Sequence, residues 1–478
     1  MDTRTKIVAT LGPASTAPEV LDQLLVAGTD VVRLNLSHGS LEGHLATMQA
    51  VREAAERTGQ VVAVLADLPG PKVRSGPFPE GGVEVHGGAA LTMSAADGPS
   101  SAEHITVDYP TLIDDVVVGD TVVLGDGAIA LQVQAVEPER VTCQVLTGGR
   151  LQGRPGVHLP SERLRLSTPT EDDLRLGAAM AEAGADFLAV SFVRTAHDLR
   201  VMREAIAPHT TNLVAKIETM SAIADLEEIV AEADAVMVAR GDLGIECPLE
   251  EVPHLQKRIV RLCVEVGVPV ITATQMMESM ITSPAPTRAE VSDIANAVFD
   301  GTDALMLSAE TAIGADPVNV VRTMNRIAGR AEKDASYRHW AARLGRVQRL
   351  NWPEGPHRIT LAITHAASLA AEDAAVDSIL CCTRSGRTAL AMARFRPSAQ
   401  LIAASHDPAV VRSLALSWGV RSMELPRYGT TDELVWHAVE RAVHLGWVQS
   451  QQTVLVLAGA PDRPSGAATD VLRIVRIS

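Results

Sequence analysis

The chain has 478 residues, 46% of them hydrophobic and 21% charged, with a formal net charge of −16. That length needs two or three cores rather than one, and the acidic balance argues against a nucleic-acid coat or an anionic membrane surface as partner. No window is apolar enough to cross a bilayer. The opening MDTRTKIVATLG lacks the apolar stretch of a signal peptide. The five cysteines, Cys143, Cys247, Cys263, Cys381 and Cys382, show no C-x-x-C spacing. They read as buried free thiols, so a cytoplasmic protein is expected.

In chain order, KIVAT (6–10) is followed by a helical pattern over 18–27, then VVRLNL (31–36), a helix to about residue 58, and VVAVLADL (61–68). This strand–helix alternation with β-branched strands is the mark of a parallel sheet. The rhythm breaks over 69–167, where glycines and short alternating segments such as HITVDY and RVTCQVLT predict a small inserted β-domain. It resumes with DFLAVSF (186–192), LVAKI (213–217), AVMVAR (235–240), VPVITAT (268–274) and ALMLSA (304–309). Eight βα units over 1–68 and 168–343 predict an α/β fold, a (β/α)8 TIM barrel. Beyond a boundary near LNWPEGPHR, residues 344–478 alternate again through RITLAIT, SILCCT, LIAAS, RSMELP and TVLVLAG. They predict a separate doubly wound α/β domain.

Ligands of such barrels sit at the C-terminal strand ends. Polar residues stand at nearly all of them: Thr10; Arg33, Asn35 and Ser37; Asp67; Ser191; Lys216 and Glu218; Arg240 and Asp242; Thr274 and Gln275; Ser308 and Glu310. The stretch 213–242 is the densest. Lys216 and Glu218 are two apart and share a face, and Asp242 closes the next strand. Two carboxylates with a lysine between them suggest a divalent metal beside an anion. Lysine is scarce, with only Lys6, Lys72, Lys216, Lys257 and Lys333, so a lysine at a strand end carries weight. In the C-terminal part, Thr383, Arg384, Ser385, Gly386, Arg387 and Thr388 precede a helix and form a candidate phosphate nest.

The segments VATLGPAS, VVRLNLSHGS, VAKIET, VMVARGDLGIE, TATQMMESM, PTRAEVSDIANAVFDGTDALMLSAETA and TRSGRT are close to motifs of one family. Over essentially its whole length the chain resembles pyruvate kinase. The resemblance implies that the insertion is a β-barrel lid, that the C-terminal domain binds a phosphorylated allosteric effector, and that the assembly is a homotetramer. It also implies phosphoryl transfer from phosphoenolpyruvate to ADP, giving pyruvate and ATP. Glu218 and Asp242 then fit as ligands of Mg2+ (or Mn2+), and Lys216 faces the phosphoryl group. Arg33 and Arg74 clamp phosphate oxygens. The N–H groups of Gly241 and Asp242 meet the substrate carboxylate. Thr274 contacts that carboxylate or the proton route to C3, with Ser308 and water as rivals for the relay. Thr10, Asn35, His38, Arg74 and Arg175 match nucleotide-contacting positions, although many relatives carry lysine in place of Arg175.

The third strand's exit departs from the family. ADLPGPKVRSG (66–76) has Leu68 and Pro69 where many members have threonine and lysine, and Lys72 where they have glutamate. Those members bind K+ near the positions of Asn35, Ser37 and Asp67. The Lys72 ammonium is expected to replace that K+, so that none is required. A mutase- or aldolase-like barrel handling phosphoenolpyruvate or oxaloacetate would lack the inserted domain and the MVARGDLG…ATQMMESM pairing. A catalytically silent sensor would show damage at Lys216, Glu218 or Asp242, and all three are intact. A loop at 459–469 is expected to close over the effector.

Overall fold

The computed structural model describes residues 3–125, 127, 129–160, 165–335, 356–460 and 468–477. Eight parallel strands close a barrel: Lys6–Thr10, Val31–Asn35, Ala63–Asp67, Phe187–Val190, Asn212–Ile217, Ala235–Ala239, Val270–Ala273 and Ala304–Leu307. Each pairs with its neighbours in chain order, and the last closes on the first at Lys6 and Ala304. These are the eight strands expected: the first keeps its bounds, the fifth gains Asn212, and the other six are one to three residues shorter. The strands read as unbroken apolar runs because both of their faces are buried. One face fills the barrel with Val8, Leu65, Phe187, Val214, Met237, Ile271 and Met306. The other packs on the surrounding helices.

The insertion forms a six-stranded sheet in the order Val157–His158, Thr121–Leu124, Ile129–Glu137, Arg140–Thr147, Ala90–Ala95, His104–Val107. Alternation decides its inner face: along Arg140–Thr147 only Val141, Cys143 and Val145 are buried. Antiparallel bridges from Arg74 to Gly156 and from Ser75 to Val107 let one short segment touch both edges of this sheet. The insertion has its own apolar core. Its entry passes Gly70, whose φ of +68° lies in the left-handed region and where a Cβ would come within 2.7 Å of the Ser191 side chain. The Gly70 N–H donates to Asp173 Oδ1 at 3.0 Å, joining the entry of the insertion to the helix that follows its exit.

The C-terminal sheet has the order Val420–Glu424, Gln400–Ser405, Ser378–Cys382, Thr453–Ala458, Val471–Arg476, all parallel except the last. Two strand-level expectations are corrected here. RITLAIT is not a strand but part of the helix Pro356–Asp373. Its β-branched residues look strand-like in isolation, yet the run continues through alanines without a breaker. Thr364, Ala367 and Ala371 are buried at helical spacing. The final strand, Val471–Arg476, was not anticipated, since as a mostly exposed edge it has little apolar alternation. The expected boundary at 343–344 lies outside the described residues, as does most of the loop 459–469.

The C-terminal part grips the base of the barrel. Ala415 and Leu416 join the barrel's interior cluster. Arg396 Nη1 donates to Asp303 Oδ1 at 2.8 Å and its Nη2 to Gly301 O at 2.6 Å. Asp303 also accepts from the Trp418 and Val270 N–H groups. Arg396 and Asp303 are both buried, so removing one partner strands a charge. Asp303→Ala is expected to cost about 3 to 5 kcal/mol, read as a lower chemical-unfolding midpoint. A loss as small as that of an exposed pair would contradict this account.

Candidate active site

The side chains of the central network stand at or just beyond the C-terminal ends of barrel strands. Lys216, on the fifth strand, points its ammonium at three neighbours. Nζ donates to Ser191 Oγ at 2.7 Å, and lies 3.0 Å from Glu218 Oε1 and 3.2 Å from Asp67 Oδ1. Arg33, on the second strand, donates from Nε to Asp67 Oδ2 at 2.6 Å and from Nη1 to Thr10 Oγ1 at 3.0 Å. Glu218 Oε2 accepts from the Phe192 N–H at 2.6 Å. Ser191 Oγ in turn donates to Leu68 O. Five strands therefore contribute to one network.

Its electrostatics are set by burial. Burial alone would push the Lys216 ammonium down, but Asp67, Glu218 and Asp242 outweigh it and hold it above the ordinary lysine range. Burial would raise the Asp67 carboxyl, and the Lys216 and Arg33 charges hold it below the usual carboxylate range instead. Glu218 goes the other way. Burial, with repulsion from Asp242 added, raises its carboxyl despite Lys216. Arg33 pairs with Asp67, so Glu218 and its repelling neighbour Asp242 have only a share of Lys216, and Glu218 Oε1 accepts no well-directed hydrogen bond. This donor set fits a divalent cation of the kind that takes one or two protein carboxylates and completes its shell with water and substrate oxygens. Among the described residues no cluster of three His, Cys, Asp or Glu side chains could hold a metal.

The depressed Asp67 carboxyl has a pH consequence. A carboxylate lowered in the folded state adds stability above its unfolded pKa of about 3.9, lost as pH falls through the lower folded value. Asp67→Asn is expected to lose this part of the acid limb and to be less stable than the parent near pH 7. Unfolding midpoints across pH 2–7 check both.

Backbone strain marks the same mouth. Phe192 (φ +55°), Thr274 (φ +68°) and Gln275 (φ +55°) are left-handed without being glycine. Thr274 Oγ1 donates to Ala273 O at 2.7 Å and accepts the Gly241 N–H at 2.9 Å. Ser308 stands at the N-cap position of a short helix without a side-chain capping bond, and its N–H donates to Glu310 Oε2 at 2.7 Å.

The family models agree with this architecture. One described as "Pyruvate kinase, barrel domain" matches residues 2–321, and one described as "Pyruvate kinase, alpha/beta domain" matches residues 361–475. The chain belongs to the pyruvate kinase family. A pyruvate kinase of Geobacillus stearothermophilus is 43% identical over 483 residues, covering 100% of this chain and 81% of the relative. One from Methylorubrum extorquens is 38% identical over 475 residues, covering 99% of this chain and 98% of the relative. The crystal structure of a pyruvate kinase from Cryptosporidium parvum superposes with a TM-score of 0.90 at 32% identity, covering 100% of this chain and 96% of that one.

Other expected pyruvate kinase site residues fall as follows. Lys72 Nζ donates to Ser37 Oγ at 2.9 Å. Its surface is exposed, yet surrounding protein, and then the Lys216 charge, lower its proton affinity, while Asp67 and Asp242 act against this. Asn35 Oδ1 accepts the Ser37 N–H. Thr10, expected at the nucleotide, is buried, with its hydroxyl on Leu307 O and under Arg33. Arg74 donates to Arg154 O at the root of the insertion. Arg175 is exposed on its helix and pairs with Asp172 at 2.6 Å, and the His38 side chain is exposed. The Gly241 N–H is engaged by Thr274 rather than open. In the C-terminal loop, Gly386 is left-handed (φ +80°), Thr383 and Thr388 are buried, and Thr388 Oγ1 meets Thr469 Oγ1 at 2.6 Å. Ser191 stood among the strand ends, but nothing local named it as the Lys216 partner. The Phe192 N–H on Glu218 leaves no trace in sequence, being a backbone effect.

Proposed function

We propose that the chain transfers the phosphoryl group of phosphoenolpyruvate to ADP, giving pyruvate and ATP. The observation that carries this is the buried Lys216 ammonium, held between Asp67, Ser191 and Glu218 with Arg33 alongside. Phosphoryl transfer needs positioning and charge neutralisation more than covalent help. The bond from phosphorus to the enol oxygen breaks as one forms to the terminal phosphate oxygen of ADP. Lys216 neutralises the charge moving onto the enolate oxygen, and Arg33 and Arg74 hold phosphoryl oxygens. The Asp242 N–H receives the substrate carboxylate, and the Gly241 N–H joins it only by giving up its bond to Thr274 Oγ1. Thr274, with Ser308 or water, serves the proton delivered to C3. Thr10 supports Arg33, and Asn35, His38 and Arg175 border the nucleotide.

Glu218 and Asp242 would hold Mg2+ or Mn2+, which neutralises phosphate charge when bound. Lys72 supplies a fixed cation near Asn35, Ser37 and Asp67, and K+ is not required. We assign 1–68 and 168–343 to the catalytic barrel, 69–167 to its lid and 344–478 to the effector domain, in a cytoplasmic homotetramer. Pyruvate release coupled to lactate dehydrogenase, with ADP consumed one for one, tests the reaction. Pyruvate release without ADP consumption would favour the mutase- or aldolase-like alternative.

The effector is taken to be a phosphorylated metabolite on residues Thr383, Arg384, Ser385, Gly386, Arg387 and Thr388. A sugar monophosphate, sugar bisphosphate or nucleotide panel is expected to raise the thermal midpoint of the parent by a few degrees. Arg384→Ala and Arg387→Ala are expected to abolish the shift, each measured against its own ligand-free midpoint.

A further inference from the structure

The turn after the seventh barrel strand holds two consecutive left-handed residues, Thr274 and Gln275, with φ of +68° and +55°. A β-branched residue does not settle there unaided, and such conformations cost on the order of 1–3 kcal/mol each. Two charged side chains grip this turn by its backbone from opposite sides. Arg240 donates from Nε to Ala273 O at 3.1 Å and from Nη2 to Thr274 O. Glu310, which is buried, accepts the Met277 N–H on Oε1 at 3.1 Å and the Ser308 N–H on Oε2 at 2.7 Å. Arg240 is itself anchored by Asp293 Oδ2 at 2.7 Å and Gln256 Oε1 at 3.4 Å. The cation thus takes the carbonyl oxygens entering the turn, and the anion takes the N–H leaving it. Each is stronger than a neutral hydrogen-bonding group in the same place.

We infer that Arg240 and Glu310 are positioning residues for Thr274: together they hold the strained turn and so set where its hydroxyl stands. Gly241, next to Arg240, places its N–H on that hydroxyl at 2.9 Å, so one chain segment orients Thr274 through both its backbone and its side chain. Glu310 joins the exit of the Thr274 turn to the backbone of Ser308, so the two segments that carry the hydroxyls assigned to the C3 proton route share one carboxylate. Arg240, although it directly follows a strand and lies two residues from Asp242, has its guanidinium on Ala273, Thr274, Gln256 and Asp293 and not on the Lys216 network. This inference rests on the reading of Thr274 as a group that acts on the substrate.

The test is a double-mutant cycle on turnover, using the full-length enzyme with Mg2+. Arg240→Lys keeps the charge but cannot span two carbonyl oxygens, and Glu310→Gln keeps the shape but loses one acceptor. Each is expected to lower kcat by about 10- to 100-fold, the scale of a sub-ångström to 1 Å misplacement of an acting group. Thr274→Ala is measured beside them. If Arg240 and Glu310 act through Thr274, adding either substitution to Thr274→Ala lowers kcat by less than about twofold further. Thermal midpoints show which variants are folded, and Glu310→Gln carries the test if Arg240→Lys is not. Unchanged kcat in folded Arg240→Lys and Glu310→Gln, or losses that multiply fully with Thr274→Ala, would overturn the inference. An unchanged kcat in Thr274→Ala alone would instead sink the assignment of Thr274, a separate result.

Discussion

Lys216→Met is expected to lower turnover by about 10³-fold, the scale of losing a preorganised charge at the atom where charge develops. The side chain keeps its length and apolar stem, so substrate access is unchanged while the ammonium is gone. Its position makes the loss specific, since Asp67, Glu218 and Ser191 hold Nζ within 2.7–3.2 Å contacts on three sides. The same change has a stability signature. Without Lys216, two buried carboxylates lose the cation they share, and breaking such a pair costs about 3 to 5 kcal/mol. Asp67 keeps Arg33, but the Glu218 carboxyl, already raised by burial, rises further, so stability relative to the parent is lost as pH rises through that raised value. The gap between variant and parent, measured in EDTA, should widen from pH 5 to pH 8. A variant with a tenth or more of parental turnover would rule out the central role given to Lys216.

The second large effect concerns the monovalent cation. In a buffer with only a bulky organic counter-cation, the parent enzyme is expected to turn over within about twofold of its rate in KCl. Lys72→Glu is expected to fall roughly 10²-fold without K+ and to recover much of that when KCl is added, because a fixed cation beside transferring phosphate contributes on the order of 3 kcal/mol. Three observations support this. Lys72 Nζ reaches Ser37 Oγ at 2.9 Å. The charges of Asp67 and Asp242 favour its ammonium, and that of Lys216 opposes it. Lys72 also lies on the entry to the inserted domain, where Gly70 bends the chain tightly over Ser191. A large stimulation of the parent enzyme by KCl would end this account. Sodium must be excluded in both arms, since it could partly fill a vacated site.

Much of this was legible in the residues. The eight barrel strands were readable because a strand buried on both faces is a continuous apolar run, ended by the polar residue that meets the barrel mouth. Lys216 and Glu218 could be placed together because strand periodicity puts alternate residues on one face. RITLAIT misled for the converse reason: a short apolar run has no period of its own, and the alanines after it decide for helix. The family motifs carried the chemistry, but not which groups meet.

What the sequence determined by itself was the set of barrel strands, the inserted domain and the polar residues ending each barrel strand, because all of these follow from local pattern. The tertiary structure decided the rest. Lys216 meets Ser191 across 25 residues of sequence, and Ser191 meets Leu68 across 123. Arg240 grips the Thr274 carbonyl 34 residues away. Such contacts depend on closing the barrel, which brings strand ends together whatever their separation in sequence. The left-handed turns at Phe192, Thr274 and Gln275 lie against charged groups that only the closed frame brings to them.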